Sequence, residues 1–327
     1  MAGLKTIKTK IRSIEKTQTV TKAMEAVSAA KMRKAQTTAI AGRAYARAAV
    51  SILSRVSGSS ALKNHPLTRG AEEFFSSAAG LQGDAAEKNS AAPLNRALYI
   101  VITSDKGLAG ALNSAVLRST YADIQKLGLP KEQVSIIAVG RKANDFFSTR
   151  GFPIEVYHPN TALLTEEVMN EIVNEVAFRF STGVVDLVKI GYQHFVSTFE
   201  QRATLRVMFP LSIEELSQVV RDIIPTKGAL AHVETSPEVN PSLYTVEPSE
   251  EEVFNAILPK LAGIFVHHAL LESQASEHSA RMVAMKSASD KAAEMEHTLT
   301  LQFNKARQAA ITREVSEITG GMEAMAS

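Results

Sequence analysis

The stretch "LKTIKTKIRSIEKTQTVTKAMEAVSAAKMRKAQ", residues 4–36, decides the architecture. It holds no proline and no glycine and is rich in alanine, lysine and methionine, all good helix formers. Leu4, Ile7, Ile11 and Ile14 follow a 3-4-3 spacing, the narrow apolar seam of a helix that meets one partner helix. Beyond Ile14 the apolar line is expected to shift, continuing through Val20, Met24 and Val27 on a displaced register that alters the supercoil. The proline-free pattern runs on to residue 57 with Gly42 as its one glycine. A helix of that length reaches about 80 Å at 1.5 Å per residue, longer than a small core can cover.

The other end of the chain matches it. After "VNPSLYTVEP" (239–248), Ser249 and Glu252 have the S-x-x-E spacing of a capping box. Pro259 is expected to bend the first turns, and beyond Gly263 nothing breaks the helix before Gly320. Met282, Met285, Ala292, Met295, Leu299, Ala306 and Ala310 fall at threes, fours or their sums. Neither helix carries enough apolar surface to be buried alone, so the simplest arrangement pairs them as an antiparallel coiled coil.

Between the two ends, runs such as "ALYIVIT" (97–103) and "VSIIAVG" (134–140) read as strands buried on both faces. "PIEVYH" (153–158), "VVDLVKIGY" (184–192) and "RATLRVMFPL" (202–211) supply further strands. Helical patterns lie between them, among them 165–181, with Val168, Ile172, Val176 and Phe180 at four-residue steps. Alternating strands and helices predict a largely parallel, Rossmann-like α/β domain. The fold expected is therefore α/β plus a long antiparallel coiled coil. Residues 1–57 and 249–327 make the shaft, 96–248 the α/β domain, and the Ala/Ser/Gly-rich segment 58–95 a long connection.

Charge is distributed unevenly. The net charge is +2, yet residues 1–60 hold 12 Lys and Arg against Glu15 and Glu25. A cationic end predicts an anionic partner. With no cysteine, disulfides, thiolate metal sites and thiol catalysis are excluded. "MAGLKTIKTK" lacks the apolar stretch of a secretory signal, and no uncharged run approaches the roughly 20 residues of a membrane span. A soluble chain is expected, able to sit on a membrane complex.

Few motifs point to chemistry. "SDKGLAGALN" (104–113) follows a strand and opens a helix, as a phosphate-binding turn would. G-x-x-x-x-G-K-[ST] and G-x-G-x-x-G are both absent, so a tight, closely packed turn is the better reading. His268 and Glu272 have i,i+4 spacing but no third metal ligand; adjacent His267 points to another helix face. Glu166, Glu167, Glu251 and Glu252 sit where the helix dipole favours anions, so catalysis is the poorer account of them. The cationic helix is open to three readings: a solvated face, a nucleic-acid surface, or a surface for an acidic protein. Tyr45 is the sole aromatic there, which disfavours base stacking.

The segments "TQTVTKAMEAVSAAKMRKAQ", "SDKGLAGALN", "ASEHSARMVAMKSASDKA" and "FNKARQAAITREVSEITGG", in that order, resemble the gamma subunits of F-type ATP synthases. The resemblance implies a central rotor shaft whose terminal helices turn inside a hexamer of alternating alpha and beta subunits. The α/β foot would stand beside the epsilon subunit on the membrane ring of c subunits, which proton flow turns. Lys22, Lys31, Arg33 and Lys34 would face acidic beta-subunit loops. Met24, Arg281, Gln308, Thr312 and Glu314 match family positions in contact with the hexamer, and Ile311, Val315 and Ile318 resemble the tip held in its apolar bearing. The resemblance implies no catalytic residue, cofactor or metal in this chain, no nucleic-acid partner, and membrane attachment only through the complex. A bacterial plasma membrane, cytoplasmic side, is the expected location, with the matrix side of the mitochondrial inner membrane as the alternative. Segment 58–95 is longer than a compact bacterial connection, and the missing cysteine excludes the thiol control of chloroplast relatives. The competing readings are a nucleotide-binding α/β protein using Asp105–Gly110 and a coiled-coil nucleic-acid-binding protein.

Overall fold

The computed structural model describes residues 2–41, 65–68, 94–160, 166–212, 247 and 249–326. They fall into two compact units: Lys31–Ala280, and Met1–Ala30 with Arg281–Ser327. Most of the expected connection 58–95 and the tail of the first helix beyond Ala41 lie outside the described residues.

The first unit is built on a five-stranded sheet in the order β3-β2-β1-β4-β5. Its strands are β1 (Ala97–Ile102), β2 (Val134–Val139), β3 (Ile154–His158), β4 (Leu187–Phe195) and β5 (Gln201–Phe209). The first four are parallel, and β5 runs antiparallel to β4. Every residue of the central strand β1 is buried, and its alternation sorts two cores. Leu98, Ile100 and Ile102 join Met169, Val173 and Val176 of α4 (Glu166–Ser181) and Phe254, Leu258, Phe265 and Val266 of α5 (Glu250–Ala326). Ala97, Tyr99 and Val101 join Val116, Leu117 and Ile124 of α2 (Leu112–Leu127) and Ala143 and Phe147 of α3 (Arg141–Ser148). A strand covered on both faces must be apolar at consecutive positions, which is why 97–102 reads as an unbroken run.

The opening turns of α5 belong to this unit. Among the described residues α5 contains the one stretch long and apolar enough to cross a membrane. That apolarity faces the sheet: Leu261, Ala262, Phe265, Val266, Ala269 and Leu270 are all in the core. Ser249 caps the helix, its Oγ accepting from Glu252 N at 3.2 Å. Pro259 lies inside the helix without ending it. A fragment of the long connection also packs here: Leu67 is buried, its carbonyl accepts Leu211 N at 2.8 Å, and His65 Nε2 meets Asn255 Oδ1 at 3.0 Å.

One polar group interrupts the second core. The Tyr99 hydroxyl donates to Asp123 Oδ2 at 2.6 Å, and Lys189 Nζ donates to the same carboxylate at 2.8 Å. Burial, and then the bond to Asp123 and its charge, push the phenol far above its usual range, so Tyr99 stays a neutral donor. An interior hydroxyl is tolerated because its partner is supplied from α2.

The second unit contains the first turns of α1 (Ala2–Ala41) and the last of α5. On α1 the side chains withdrawn from solvent are Leu4, Ile7, Ile11, Ile14, Gln18, Thr21, Glu25 and Ser28, an unbroken 3-4 alternation. The expected shift through Val20, Met24 and Val27 does not occur. Val20 and Val27 are each 56% exposed, and Met24 is half-buried beside the seam. The heptad persists while its chemistry changes from aliphatic to small and polar, so a search for apolar side chains loses the line that the backbone keeps. On α5 the matching positions are Met285, Ser289, Ala292, Glu296, Leu299, Phe303, Ala306 and Ala310. Met295, expected on the line, is 49% exposed, and Glu296 takes its place.

Lys10, Ser13 and Ile14 line one groove of about 460 Å³ together with Glu294, Met295, Thr298 and Leu299. With burial on α5 ending at Ala310 and that on α1 starting at Leu4, this sets an antiparallel register in which paired residue numbers sum to about 310. Gly320 and Gly321 do not stop α5, which continues to Ala326. The last four turns, past Ala310, extend beyond the seam for about 24 Å.

Gly140, between β2 and α3, has φ +96°, and a Cβ there would lie 2.1 Å from the Thr103 carbonyl oxygen. Gly140→Ala is expected to destabilise the chain by about 3 kcal/mol or more, from backbone strain and the clash together. Chemical denaturation followed by circular dichroism measures it.

Candidate contact surfaces

The residues singled out from sequence do not converge on a single cleft. Lys22, Lys31, Arg33 and Lys34 of α1 are exposed, and none has an ion-pair partner among the described residues. Val20 and Val27, seven residues apart and therefore on one side of the helix, stand out between these cations and small side chains such as Ala23, Ala26 and Ala30. Sequence reasoning placed these valines in the seam. Their exposure makes them surface residues of the cationic helix, and heptad counting forward from Leu4 would have found that.

A second surface is the end of α5. Gln308, Thr312 and Glu314 are exposed. Ile311, Val315 and Ile318 are 53, 54 and 58% exposed, and Met322, on the same 4-3-4 line, is 68% exposed. Four large apolar residues on one face of a helix, with no partner beside them among the described residues, are an incomplete core. By the register above, Lys22 lies level with residue 288, about 35 Å along the helix axis from the tip at Ile311. Arg281 differs from the rest of the set: it is buried and already engaged within the chain.

The carboxyl ends of the parallel strands are where sheets of this kind hold ligands. Here the chain occupies that edge itself. Ser104 N donates to Asn113 Oδ1 at 3.0 Å, and Ser104 Oγ donates to the Lys106 carbonyl at 2.6 Å. Asp105 Oδ1 accepts Arg141 N at 2.8 Å, so it caps α3 in the absence of a closer capping side chain. Helix α5 lies across the same edge. Ser276 Oγ donates to the Gln193 carbonyl, Ser279 Oγ to the Thr198 carbonyl at 2.7 Å, and Gln274 Nε2 to Asn160 Oδ1 at 3.0 Å. The turn 104–113 thus closes on its own groups, as the tight-turn reading expects.

His268 and Glu272 gain a third neighbour that spacing could not reveal. Glu272 is buried, with Oε2 2.9 Å from His194 Nδ1 on β4 and Oε1 3.7 Å from His268 Nε2. Among the described residues no group of three His, Cys, Asp or Glu is arranged to hold a metal ion. The cluster ties β4 to α5, each imidazole meeting the carboxylate that would otherwise be buried without a partner.

These features define a class: a chain whose two ends pair as one helical unit while its middle forms an α/β unit, with exposed cationic and apolar surfaces on the helices. The ATP synthase family pattern matches residues 3–325. The ATP synthase gamma chain of Heliobacterium modesticaldum is 36% identical over 329 residues, covering 99% of this chain and all of the relative. The chain belongs to the ATP synthase gamma chain family. Its fold is similar to a chain of the Euglena gracilis mitochondrial ATP synthase in the OSCP/F1/c-ring structure, with a TM-score of 0.60 at 18% identity, covering 99% of this chain and 95% of that one. A chain of the Tetrahymena thermophila mitochondrial ATP synthase central stalk/c-ring gives 0.51 at 22% identity, covering 83% and 99%.

Replacing Lys22, Lys31 and Lys34 together with Gln should leave the stability of the chain within about 0.5 kcal/mol per site, because all three are exposed. Association with an acidic partner should slow, and the difference from the unsubstituted chain should shrink as salt rises from 50 to about 500 mM. Surface-captured binding kinetics at the two ionic strengths would show it.

Proposed function

We propose that this chain is the rotor shaft of an F-type ATP synthase. It couples rotation of the membrane c ring to conformational change at catalytic sites carried by the alpha and beta subunits. The observation that carries the reading is the pair of long helices held on one continuous heptad, ending in an apolar stripe with no partner among the described residues. The Euglena and Tetrahymena structures whose chains share this fold are of F1/c-ring and central-stalk assemblies, and the gamma-chain kinship gives the same assignment.

The division of labour follows from the surfaces. Lys22, Lys31, Arg33 and Lys34 meet acidic segments of the surrounding subunits. Exposed charge pairs contribute only about 0–1 kcal/mol each, so they are exchanged cheaply as the shaft turns. Met24, Gln308, Thr312 and Glu314 are further contacts with the hexamer, and Ile311, Val315 and Ile318, joined by Met322, seat in an apolar bearing. Buried Arg281 acts on that interface through the helix it braces. Residues 1–57 and 249–327 serve as the shaft and 96–248 as the foot, beside the epsilon subunit and on the c ring. ATP is made and hydrolysed by the partners, since the strand edge that would hold a nucleotide is filled by the chain's own turn and by α5. The chain is peripheral to the membrane and attached through the complex, on the cytoplasmic side of a bacterial plasma membrane.

Co-expression with alpha, beta and epsilon subunits tests the reading. The chain should co-purify in a complex with three alpha and three beta subunits, and failure to do so would overturn it. Deleting residues 311–327 should leave ATP hydrolysis by the hexamer within about threefold while proton pumping driven by that hydrolysis falls tenfold or more, about 1.4 kcal/mol of lost coupling per tenfold. Parallel assays of phosphate release and vesicle acidification separate the two.

A further inference from the structure

Helix α5 belongs to both units: it passes from the α/β unit to the helical unit between Ala280 and Arg281 without a break. Up to Leu270 it meets the sheet through apolar side chains, among them Leu261, Phe265, Val266 and Leu270. Apolar burial has no direction, so it resists separation of helix and sheet more than it resists rolling of the helix about its own axis. The last turns before the boundary are held differently. Glu272, Ser276 and Ser279 are buried there, and each meets a different group of the sheet or its loops.

Glu272 Oε2 lies 2.9 Å from His194 Nδ1 of β4. Ser276 Oγ donates to the Gln193 carbonyl at 3.3 Å, and Ser279 Oγ to the Thr198 carbonyl, in the turn after β4, at 2.7 Å. These three positions fall within about 60° of one another around the helix axis. Gln274 leaves the helix in nearly the opposite direction, about 160° from Ser276. Its Nε2 donates to Asn160 Oδ1 at 3.0 Å, and Asn160 Nδ2 in turn donates to the Thr103 carbonyl, at the end of β1, at 2.8 Å. The anchors on the first side are braced as well. Gln193 Nε2 donates to the Leu112 carbonyl of α2 at 2.7 Å. Glu200 N donates to the Ser197 carbonyl at 3.3 Å and to Ser197 Oγ at 3.1 Å, closing the turn that carries Thr198. The remaining side chains of these turns keep to the same setting: Ser273 and Ala275 are small and buried, and Glu277 and His278 are engaged within the chain. Hydrogen bonds are directional, and bonds on opposite sides of a rod oppose its rotation.

We propose that these bonds are the torque-bearing joint of the chain. Glu272, Ser276 and Ser279 on one side of α5, and Gln274 with Asn160 on the other, keep the helix from rolling in the α/β unit when the hexamer resists rotation. They are positioning residues that act through the orientation of α5. The proposal rests on the rotor reading and deepens it by naming where load passes from sheet to helix. It makes a specific demand: removing either side should cost little when the shaft turns freely and much when it turns against resistance.

The test uses the assembled complex in sealed vesicles, with Gln274→Ala, with Ser276→Ala and Ser279→Ala together, and with all three. Without a gradient, ATP hydrolysis and the initial rate of proton pumping should stay within about twofold of the unsubstituted complex. Against a preformed pH gradient, pumping should fall about fivefold to tenfold, the scale of one lost hydrogen-bonded contact. The triple variant should lose little more pumping than either parent, since release of one side is enough to let the helix roll. Losses of thermal stability in the full chain should instead add, as they do for sites without shared partners. Because the chain has no cysteine, Asn160→Cys and Gln274→Cys can be joined by a short thiol-reactive linker, in a complex whose other subunits have no reactive cysteine. The join should restore pumping against the gradient. Should the serine variants not assemble, Gln274→Ala and the joined pair decide. Undiminished pumping against the gradient in the substituted complexes would overturn the proposal, and so would a loss already complete without a gradient, which would assign the bonds to folding alone. Failure of the unsubstituted chain to co-purify with the hexamer would remove the rotor reading itself, an outcome distinct from either.

Discussion

Everything in this chain depends on a mutual debt between its two ends. A helix of forty residues or more exposes too much backbone-bound surface to be stabilised by propensity, and a narrow stripe of two seam residues per two turns can be hidden only by another stripe of equal width. The first helix finds that stripe in the last one. Since the partners are the two termini, everything between them has to leave the pair and return, and a domain inserted there needs its own core. The α/β unit supplies it. Its central strand sends alternate side chains to two separate cores, and one of those cores is completed by the opening turns of the same helix whose far end forms the shaft. Helix α5 therefore has two environments along its length, broadly apolar up to Leu270 and narrowly striped beyond Met285.

That continuity explains why the strand edge is closed. In a doubly wound sheet the carboxyl ends of the strands leave a crevice where the order reverses, here between β1 and β4. A metabolic enzyme keeps that crevice open. In this fold Gln193 and Thr198, at the end of β4 and just after it, give their carbonyls to Ser276 and Ser279 of α5, and Gln193 Nε2 reaches back to the Leu112 carbonyl. The groups that would hold a ligand elsewhere hold a helix here. The edge of the sheet anchors the long C-terminal helix.

Much of this was legible in the residues, for identifiable reasons. The buried strands were plain because a two-sided strand must be continuously apolar, and 97–102 and 134–139 are. The long helices were plain because proline and glycine are missing where they would interrupt. The seam was legible only as far as Ile14. Past that point it is made of Gln18, Thr21, Glu25 and Ser28, which no hydrophobic pattern reports, while Val20 and Val27 offer an apolar spacing that leads to the outer face. The failure has a physical cause: hydrophobicity and burial separate when a buried position is filled by volume and not by apolarity. The contacts joining β4, α3 and α5 were illegible for another reason. Asp105 capping Arg141, His194 meeting Glu272, and Asn160 bridging the Thr103 carbonyl and Gln274 join residues 36 to 114 positions apart, and no local spacing encodes them.

The separation of hydrophobicity from burial also bears on how a shaft differs from a structural coiled coil. A rod selected for stability alone would carry aliphatic residues throughout the seam, and the half-buried isoleucines at Ile7, Ile11 and Ile14 show that this chain uses them where it can. A rod that must turn inside a sleeve answers to the sleeve as well. Its outer surface has to avoid deep complementary contacts, because each well it enters at one angle is a barrier to leaving that angle. Small outer residues, Ala23, Ala26 and Ala30, and cations with no ion pair among the described residues, Lys22 and Lys34, meet that condition on the outside. Such a molecule is held also by the subunits around it, whose binding adds to the stability of the folded form.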